Sequence, residues 1–236
     1  MSYFEGPCLN LNKENLKPDL PKQIVVIGAP RGGTSMVAGI CHHLGVNMGS
    51  FDNAWTSGYE VTKKPYAMYE DHRFVHSHSG DRLLFKDTFR KEQCVNSILE
   101  AILTSNNLGD TWGWKDPLSI HYIKDVRSEL DNPVFLYVWR SPISVAKGEL
   151  RFNKRLGITV NKNHFHGHMR NILDHYELML SLSATFKHIP SLHINYEQVI
   201  SSRGEDNKPR LVRDIARMCG VKLNNDTLDK CVKFIK

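Results

Sequence analysis

The most strongly patterned stretch of the chain runs from Ile24 to Leu44, IVVIGAPRGGTSMVAGICHHL. Its first four residues, Ile24-Val25-Val26-Ile27, are β-branched and do not alternate with polar residues, which predicts a strand buried on both faces. Gly28 to Gly33 follow as a glycine-rich loop, able to take backbone angles closed to most residues. Thr34 and Ser35 then open a helix whose apolar positions Met36, Val37, Ile40 and Leu44 fall at helical spacing, with Gly45 as its C-cap. Strand, glycine loop and helix N-terminus in this order predict a phosphate cradle, with backbone N–H groups and the helix dipole directed at an anion.

The rest of the chain alternates strands and helices. Residues 1–21 predict an irregular N-terminal arm closed by Pro18 and Pro21, and residues 22–236 a single domain. Val46 to Tyr69 is a long irregular segment, of the kind that is usually functional or mobile. Its aromatics Trp55, Tyr59, Tyr66 and Tyr69 read either as walls of an acceptor-binding lid or as packing of a long loop onto the core. Glu70 to Leu84 is partly helical, and Lys91 to Leu103 is a helix with Val95, Ile98, Leu99 and Ile102 on one face. Thr111 to Pro117 is a short strand ending in a charged turn, and a helix continues from Pro117 to Leu130 with proline in its first turn. Val134 to Trp139 is the second strong strand, ended by Arg140-Ser141-Pro142, with a helix from Pro142 to about Phe152. A long helix within His164 to His188, a third strand over Leu192 to Tyr196, and helices at Arg210 to Cys219 and Thr227 to Ile235 complete the pattern. Such alternation predicts an α/β fold, a parallel sheet with helices on both faces. Ligands in such sheets bind at the carboxyl ends of the strands. Those ends carry Arg31, Lys115-Asp116, Arg140 and Tyr196.

Composition narrows the function classes. With 236 residues and 41% hydrophobic positions the chain can build a sizeable α/β core. The net charge of +6 suits an anionic ligand. The lysines and arginines are spread out rather than blocked, so no nucleic-acid partner is expected. No run is long enough to span a bilayer and the N-terminus lacks a secretory signal's apolar stretch. The five cysteines are scattered and in no metal spacing, which predicts reduced thiols and a cytoplasmic protein. Histidines alternate at His76 and His78 and at His164, His166 and His168, but no Cys or acidic partner stands at zinc spacing and no metal is expected.

The loop nearly matches the nucleotide-binding pattern G-x-x-x-x-G-K-[ST]: Gly28, Gly33 and Ser35 are in register. Thr34 stands where that pattern has lysine, and the cation comes earlier, at Arg31. The second strong strand ends in Arg140 rather than in the carboxylate that would help hold magnesium. The site therefore reads as one for a phosphate-bearing ligand without ATP·Mg chemistry.

Pro30-Arg31-Gly32-Gly33-Thr34-Ser35 after a buried strand resembles the 5′-phosphosulfate loop of the sulfotransferases, Pro-[Lys/Arg]-[Ser/Gly]-Gly-[Thr/Ser]-[Thr/Ser]. Lys115-Asp116-Pro117 and, about two dozen residues on, Arg140-Ser141-Pro142 are similar to that family's lysine-bearing strand end and Arg-x-Pro turn, and Tyr196-Glu197 to its late Tyr-Glu near the adenine. The resemblance covers roughly residues 22 to 220. It implies a three-layer sandwich with a central parallel sheet and a P-loop NTPase-like fold. It also implies transfer of a sulfuryl group from 3′-phosphoadenosine 5′-phosphosulfate (PAPS), without metal, to a hydroxyl of a small molecule, glycan or lipid. On this reading Arg31, Gly32, Gly33, Thr34 and Ser35 hold the 5′-phosphate, Arg31 and Lys115 face the bridging oxygen, and Arg140 binds the 3′-phosphate. Two positions depart from the pattern. The family serine eight residues after the arginine is Gly148 here, with Lys147 or Ser144 as substitutes, and the cytosolic members' catalytic histidine is Pro117. Lys64-Pro65-Tyr66-Ala67-Met68-Tyr69-Glu70-Asp71 is similar to a stretch that supplies a glutamate base in carbohydrate-type and bacterial members. It makes Glu70 the expected base, with Asp71, His72 and Asp116 in reserve. A P-loop small-molecule or nucleotide kinase and a non-catalytic nucleotide-binding module are the alternative readings.

Overall fold

The computed structural model describes residues 6–49, 69–75, 85–155, 157–201 and 206–235. The strands are β1 (Cys8–Leu11), β2 (Gln23–Gly28), β3 (Trp112–Lys115), β4 (Pro133–Trp139) and β5 (Ser191–Asn195). The helices are α1 (Thr34–His43), α2 (His72–Val75), α3 (Thr88–Asn106), α4 (Ile123–Val126), α5 (Pro142–Arg155), α6 (Lys162–Thr185), α7 (Tyr196–Ile200), α8 (Asn207–Cys219) and α9 (Asn225–Phe234).

The unbroken apolar run of β2 is buried at every position because helices cover both sides of it. Ile24 and Val26 join a core built with α1, α8 and α9. Val25 and Ile27 join a second core with α3, α4 and α6. The result is three layers, helices on either side of one sheet. Each of these four side chains contributes about 1.5–3 kcal/mol by leaving water, so the strand that carries the glycine loop is also among the most firmly seated.

The sheet order is β1-β5-β4-β2-β3. β2 pairs in parallel with both β3 and β4, and β4 in parallel with β5. The chain leaves β2 for β3 on one side, then crosses to β4 on the other. This reversal opens a crevice at the carboxyl end of β2, where open α/β sheets bind ligands.

Three expectations need correction. Cys8–Leu11, expected within an irregular arm, is an antiparallel edge strand on β5, with Cys8 opposite Ile194 and Leu11 opposite Ser191. The sheet is thus parallel except at this edge. The helix expected over Pro117 to Leu130 is broken into short turns around α4. The Asp116 carboxylate accepts the Leu118 N–H at 2.9 Å and the Tyr122 hydroxyl at 2.9 Å, and this local capture competes with helical bonding. Tyr196, expected to end the third strand, instead opens α7. Of the segment expected to be partly helical from Glu70, α2 is helical. The aromatics Trp55, Tyr59 and Tyr66, residues 64–68 of the glutamate stretch, and His76 and His78 lie outside the described residues.

Candidate active site

The loop after β2 starts with a tight turn in which the Gly32 N–H donates to the Ala29 carbonyl at 2.8 Å. Pro30 takes the second position and Arg31 the third, at a φ of 61°. Glycine ordinarily fills that third position, because a side chain at positive φ costs about 1–2 kcal/mol. Gly33, with a φ of 100°, caps α1, and a Cβ there would stand 2.2 Å from the Tyr196 ring. The N–H groups of Gly33, Thr34 and Ser35 begin the helix and have no helical carbonyl behind them, the arrangement by which a helix N-terminus can receive an anion. Gly32 was expected to donate as well, but its N–H closes the turn. It shapes the cradle instead.

Arg31 projects towards α5. Its guanidinium carbon lies 3.7 Å from the centre of the Phe152 ring, and its Nε is 3.9 Å from Glu149 Oε1. Burial lowers its pKa, opposed by the carboxylates of Glu149 and Glu70. The helix comes this close because residue 148 is glycine: a Cβ there would stand 3.2 Å from the Arg31 Cβ. A side chain at this position would press on Arg31. Lys147, expected to substitute for that serine, is about 100° further round the helix. It lines an outer groove with Arg151 and Lys154. Ser144 is half-buried and one turn before Gly148.

At the end of β3, Lys115 is almost completely buried and its ammonium donates to the Glu70 carboxylate in a close ion pair. Burial pushes the Lys115 pKa down and Glu70 pulls it back up. Arg31 also acts on Lys115, so the three charges form one electrostatic unit. Glu70 is held from behind by Tyr69, which takes a φ of 51° and packs its ring near His42 and Phe234. Bulky residues rarely adopt this backbone region, and such strain clusters at functional sites. The reserve carboxylates are engaged elsewhere. Asp71 is buried and accepts from the Arg73 guanidinium and backbone, and Asp116 holds Leu118 and Tyr122. His72 has a side chain 44% exposed, with Nδ1 3.8 Å from Asp71.

Arg140 follows β4 and crosses beneath the loop. Its Nη1 donates to the Arg31 carbonyl at 2.8 Å, and its guanidinium carbon lies 4.4 Å from the Tyr196 ring centre. Tyr196 was expected near an adenine; it packs between Gly33 and Arg140 and buttresses both. The Arg140 Nε is buried without a hydrogen-bond partner among the described residues, its nearest carboxylate oxygen being Glu197 Oε1 at 3.8 Å. A guanidinium N–H left over at the rim of an amide cradle suits a second phosphate. Glu197 itself accepts the Ser141 N–H at 2.9 Å, and Tyr176 donates its hydroxyl to the Arg140 carbonyl. The strand-end turn is therefore fixed from two sides.

Glu149, Phe152 and Tyr176 were not legible in the sequence. Their spacing on α5 and α6 is that of any helix face, and their roles follow from what those helices meet. Between the loop, α5 and α6 lies a cavity of about 200 Å³, lined in part by Pro30, Glu149, His168 and Asn171. Among the described residues no group of three or more His, Cys, Asp or Glu side chains is placed to hold a metal ion. No helix among them is long and apolar enough to cross a membrane, and the five cysteines are free thiols.

No protein-family model and no curated protein sequence matches this chain. Solved structures do. A sulfotransferase of Mycobacterium avium, STF9, superposes over 90% of this chain and 67% of its own, with a TM-score of 0.55 at 11% identity. The sulfotransferase STF1 of Mycobacterium tuberculosis matches over 93% of this chain and 73% of its own, with a TM-score of 0.54 at 12% identity. Likeness at so low an identity speaks for architecture alone, and on that ground the chain has the sulfotransferase fold.

Proposed function

We propose that the chain is a PAPS-dependent sulfotransferase acting on a hydroxyl acceptor. The observation that carries the reading is the buried Lys115–Glu70 pair at the strand end beside the amide cradle. It brings a cation for a departing phosphate and a carboxylate for a hydroxyl proton to one point. The residues present fit the donor: three unpaired helix amides for one phosphate, and the spare Arg140 Nε for another. When bound, PAPS supplies a sulfuryl group whose bond to the 5′-phosphate breaks as the acceptor oxygen bonds to sulfur.

The amides of Gly33, Thr34 and Ser35 bind the 5′-phosphate, and Arg140, with Ser144 one turn along α5, binds the 3′-phosphate. Arg31 and Lys115 stabilise the negative charge that gathers on the bridging oxygen. Glu70 takes the proton from the acceptor hydroxyl. In the pair as it stands the Lys115 charge offsets that of Glu70, so the lysine must turn part of its charge to the phosphate before Glu70 can act. Donor binding thereby prepares the base.

The test is thermal stability with adenosine 3′,5′-bisphosphate set against ATP with magnesium. At about a hundred times its dissociation constant a ligand adds roughly 2.7 kcal/mol, or about 5 °C for a chain of this size. A shift with bisphosphate alone, indifferent to chelator, is expected. A shift confined to ATP with magnesium would replace this reading by the kinase one. Glu70→Gln should keep the bisphosphate shift and lose turnover; a wild type that binds bisphosphate but transfers sulfuryl to no hydroxyl would instead be a binding module.

A further inference from the structure

The outer side of α5 carries a feature that sulfuryl transfer does not use. Lys147, Arg151 and Lys154, with Lys162 at the start of α6, edge an open groove of about 580 Å³. Its floor is apolar, built from Leu150, Val160 and Phe165. Ile143 falls on the same stripe of α5, one turn before Lys147, and is 52% exposed; Ile158, in the connection to α6, is 46% exposed. Val145, Gly148 and Phe152 occupy the opposite side, facing the core and Arg31. The stripe from Ile143 to Lys154 is about 17 Å long.

Charge is concentrated here. Residues 142–165 hold five Lys and Arg (147, 151, 154, 155, 162) and one acid, Glu149, a net of +4 out of the chain's +6. The acid is turned inwards to Arg31, and Arg155 acts on Arg31 as well, leaving Lys147, Arg151, Lys154 and Lys162 along the groove. What remains outside is cationic heads around exposed isoleucines and an apolar floor. A free polyanion would need the cations alone. A surface combining both is the composition of a helix that lies in the headgroup layer of a membrane, with apolar side chains reaching acyl chains and Lys and Arg meeting anionic headgroups.

We propose that α5 and the α5–α6 connection dock this chain on an anionic lipid bilayer. The inference is independent of the donor and of the reaction. Its consequence for a hydroxyl acceptor would be proximity: the helix that meets Arg31 on its inner side would rest on the membrane with its outer side.

Cosedimentation of the full chain with phosphatidylcholine vesicles, with and without phosphatidylserine, tests this. Binding should need phosphatidylserine and weaken as salt is raised. Each Lys or Arg near an anionic surface is worth about fivefold in affinity, so Arg151→Gln, Lys154→Gln and Lys162→Gln together should weaken binding about a hundredfold. All three side chains are exposed, and an unchanged melting temperature verifies the fold. Ile158→Asp should also weaken binding severalfold, which a purely electrostatic contact would not require. The proposal is overturned if the wild type ignores phosphatidylserine vesicles, or if the triple variant binds like the wild type. It is also overturned if Ile158→Asp has no effect while heparin competes the protein off, which would make the groove a polyanion site.

Discussion

Replacing Arg31 by glycine and, separately, by alanine should lower activity alike but separate the two variants in stability. Arg31 holds a φ of 61° at a turn position suited to glycine. The left-handed region costs a side-chain-bearing residue about 1–2 kcal/mol, and alanine pays it as arginine does. Glycine escapes that cost but gives back about 0.4–1 kcal/mol through its freer unfolded chain. The glycine variant should therefore be more stable than the alanine variant by about 1 kcal/mol, near 2 °C for a chain of this length. Both lose the same contacts, the Phe152 stacking and the Glu149 pair. These are partly exposed and together contribute on the order of 1 kcal/mol. Glycine at position 31 should consequently leave stability close to wild type, whereas alanine should lower it by about 1 kcal/mol or somewhat more. Turnover should fall about a hundredfold or more in both, the scale of one lost preorganised donor. Thermal melts of the three proteins, with sulfuryl transfer assayed on the same preparations, decide the matter. Equal stability of the two variants would refute the strain argument, and normal turnover by either would remove Arg31 from the reaction.

Lys115→Met should cost about a hundredfold or more in turnover, and it should destabilise the fold because Glu70 is left without its cation; loss of activity without loss of stability would mean the pair is looser than its geometry. Gly33→Ala forces a Cβ to within 2.2 Å of the Tyr196 ring at a φ of 100°, and should cost about 1–3 kcal/mol together with bisphosphate binding; a melting temperature equal to wild type would show that the cradle is not built on this contact. His193 accepts a hydrogen bond from Trp139 Nε1 at 3.0 Å, and burial pushes its pKa from 6.5 down to about 4. As pH falls the unfolded chain takes up this proton first, so stability is full above about 6.5 and drops by roughly 3 kcal/mol on the way to about 4. His193→Gln should flatten that acid limb, and an unchanged slope in urea melts across the range would be inconsistent with a neutral buried imidazole.

The part of the fold that local pattern determines was readable. β2, the glycine loop and α1 follow from runs of β-branched residues, from glycine and from helical spacing, all within the stretch Gln23 to His43. Lys115 and Arg140 could be placed at or just past strand ends because alternating elements leave few topologies, whereas Tyr196 opens a helix instead of closing its strand. What was not readable depends on partners far away in sequence. β1 is a short edge strand whose half-buried residues resemble a loop until β5 is laid beside them. The turn structure after Lys115 rests on one carboxylate, Asp116, choosing a hydroxyl six residues on over the start of a helix. Lys147 and Gly148 are neighbours in sequence, yet one lines the outer groove and the other abuts Arg31, a division fixed by the angle at which α5 lands on the loop.

The pairing of Cys8 with Ile194 also bears on how the chain comes to be folded. During synthesis, β1 emerges first but has no partner until β5 has left the ribosome. By then β2, β3 and β4, which pair in parallel, have already been made, and the glycine loop that follows β2 with them. The edge strand can pair only once β5 is made, and β5 leads directly into Tyr196 at the start of α7, the ring that braces Gly33 and Arg140. Nascent chains would thus carry the glycine loop before the ring that braces it, and the loop would gain that support only after β5 and Tyr196 have been made.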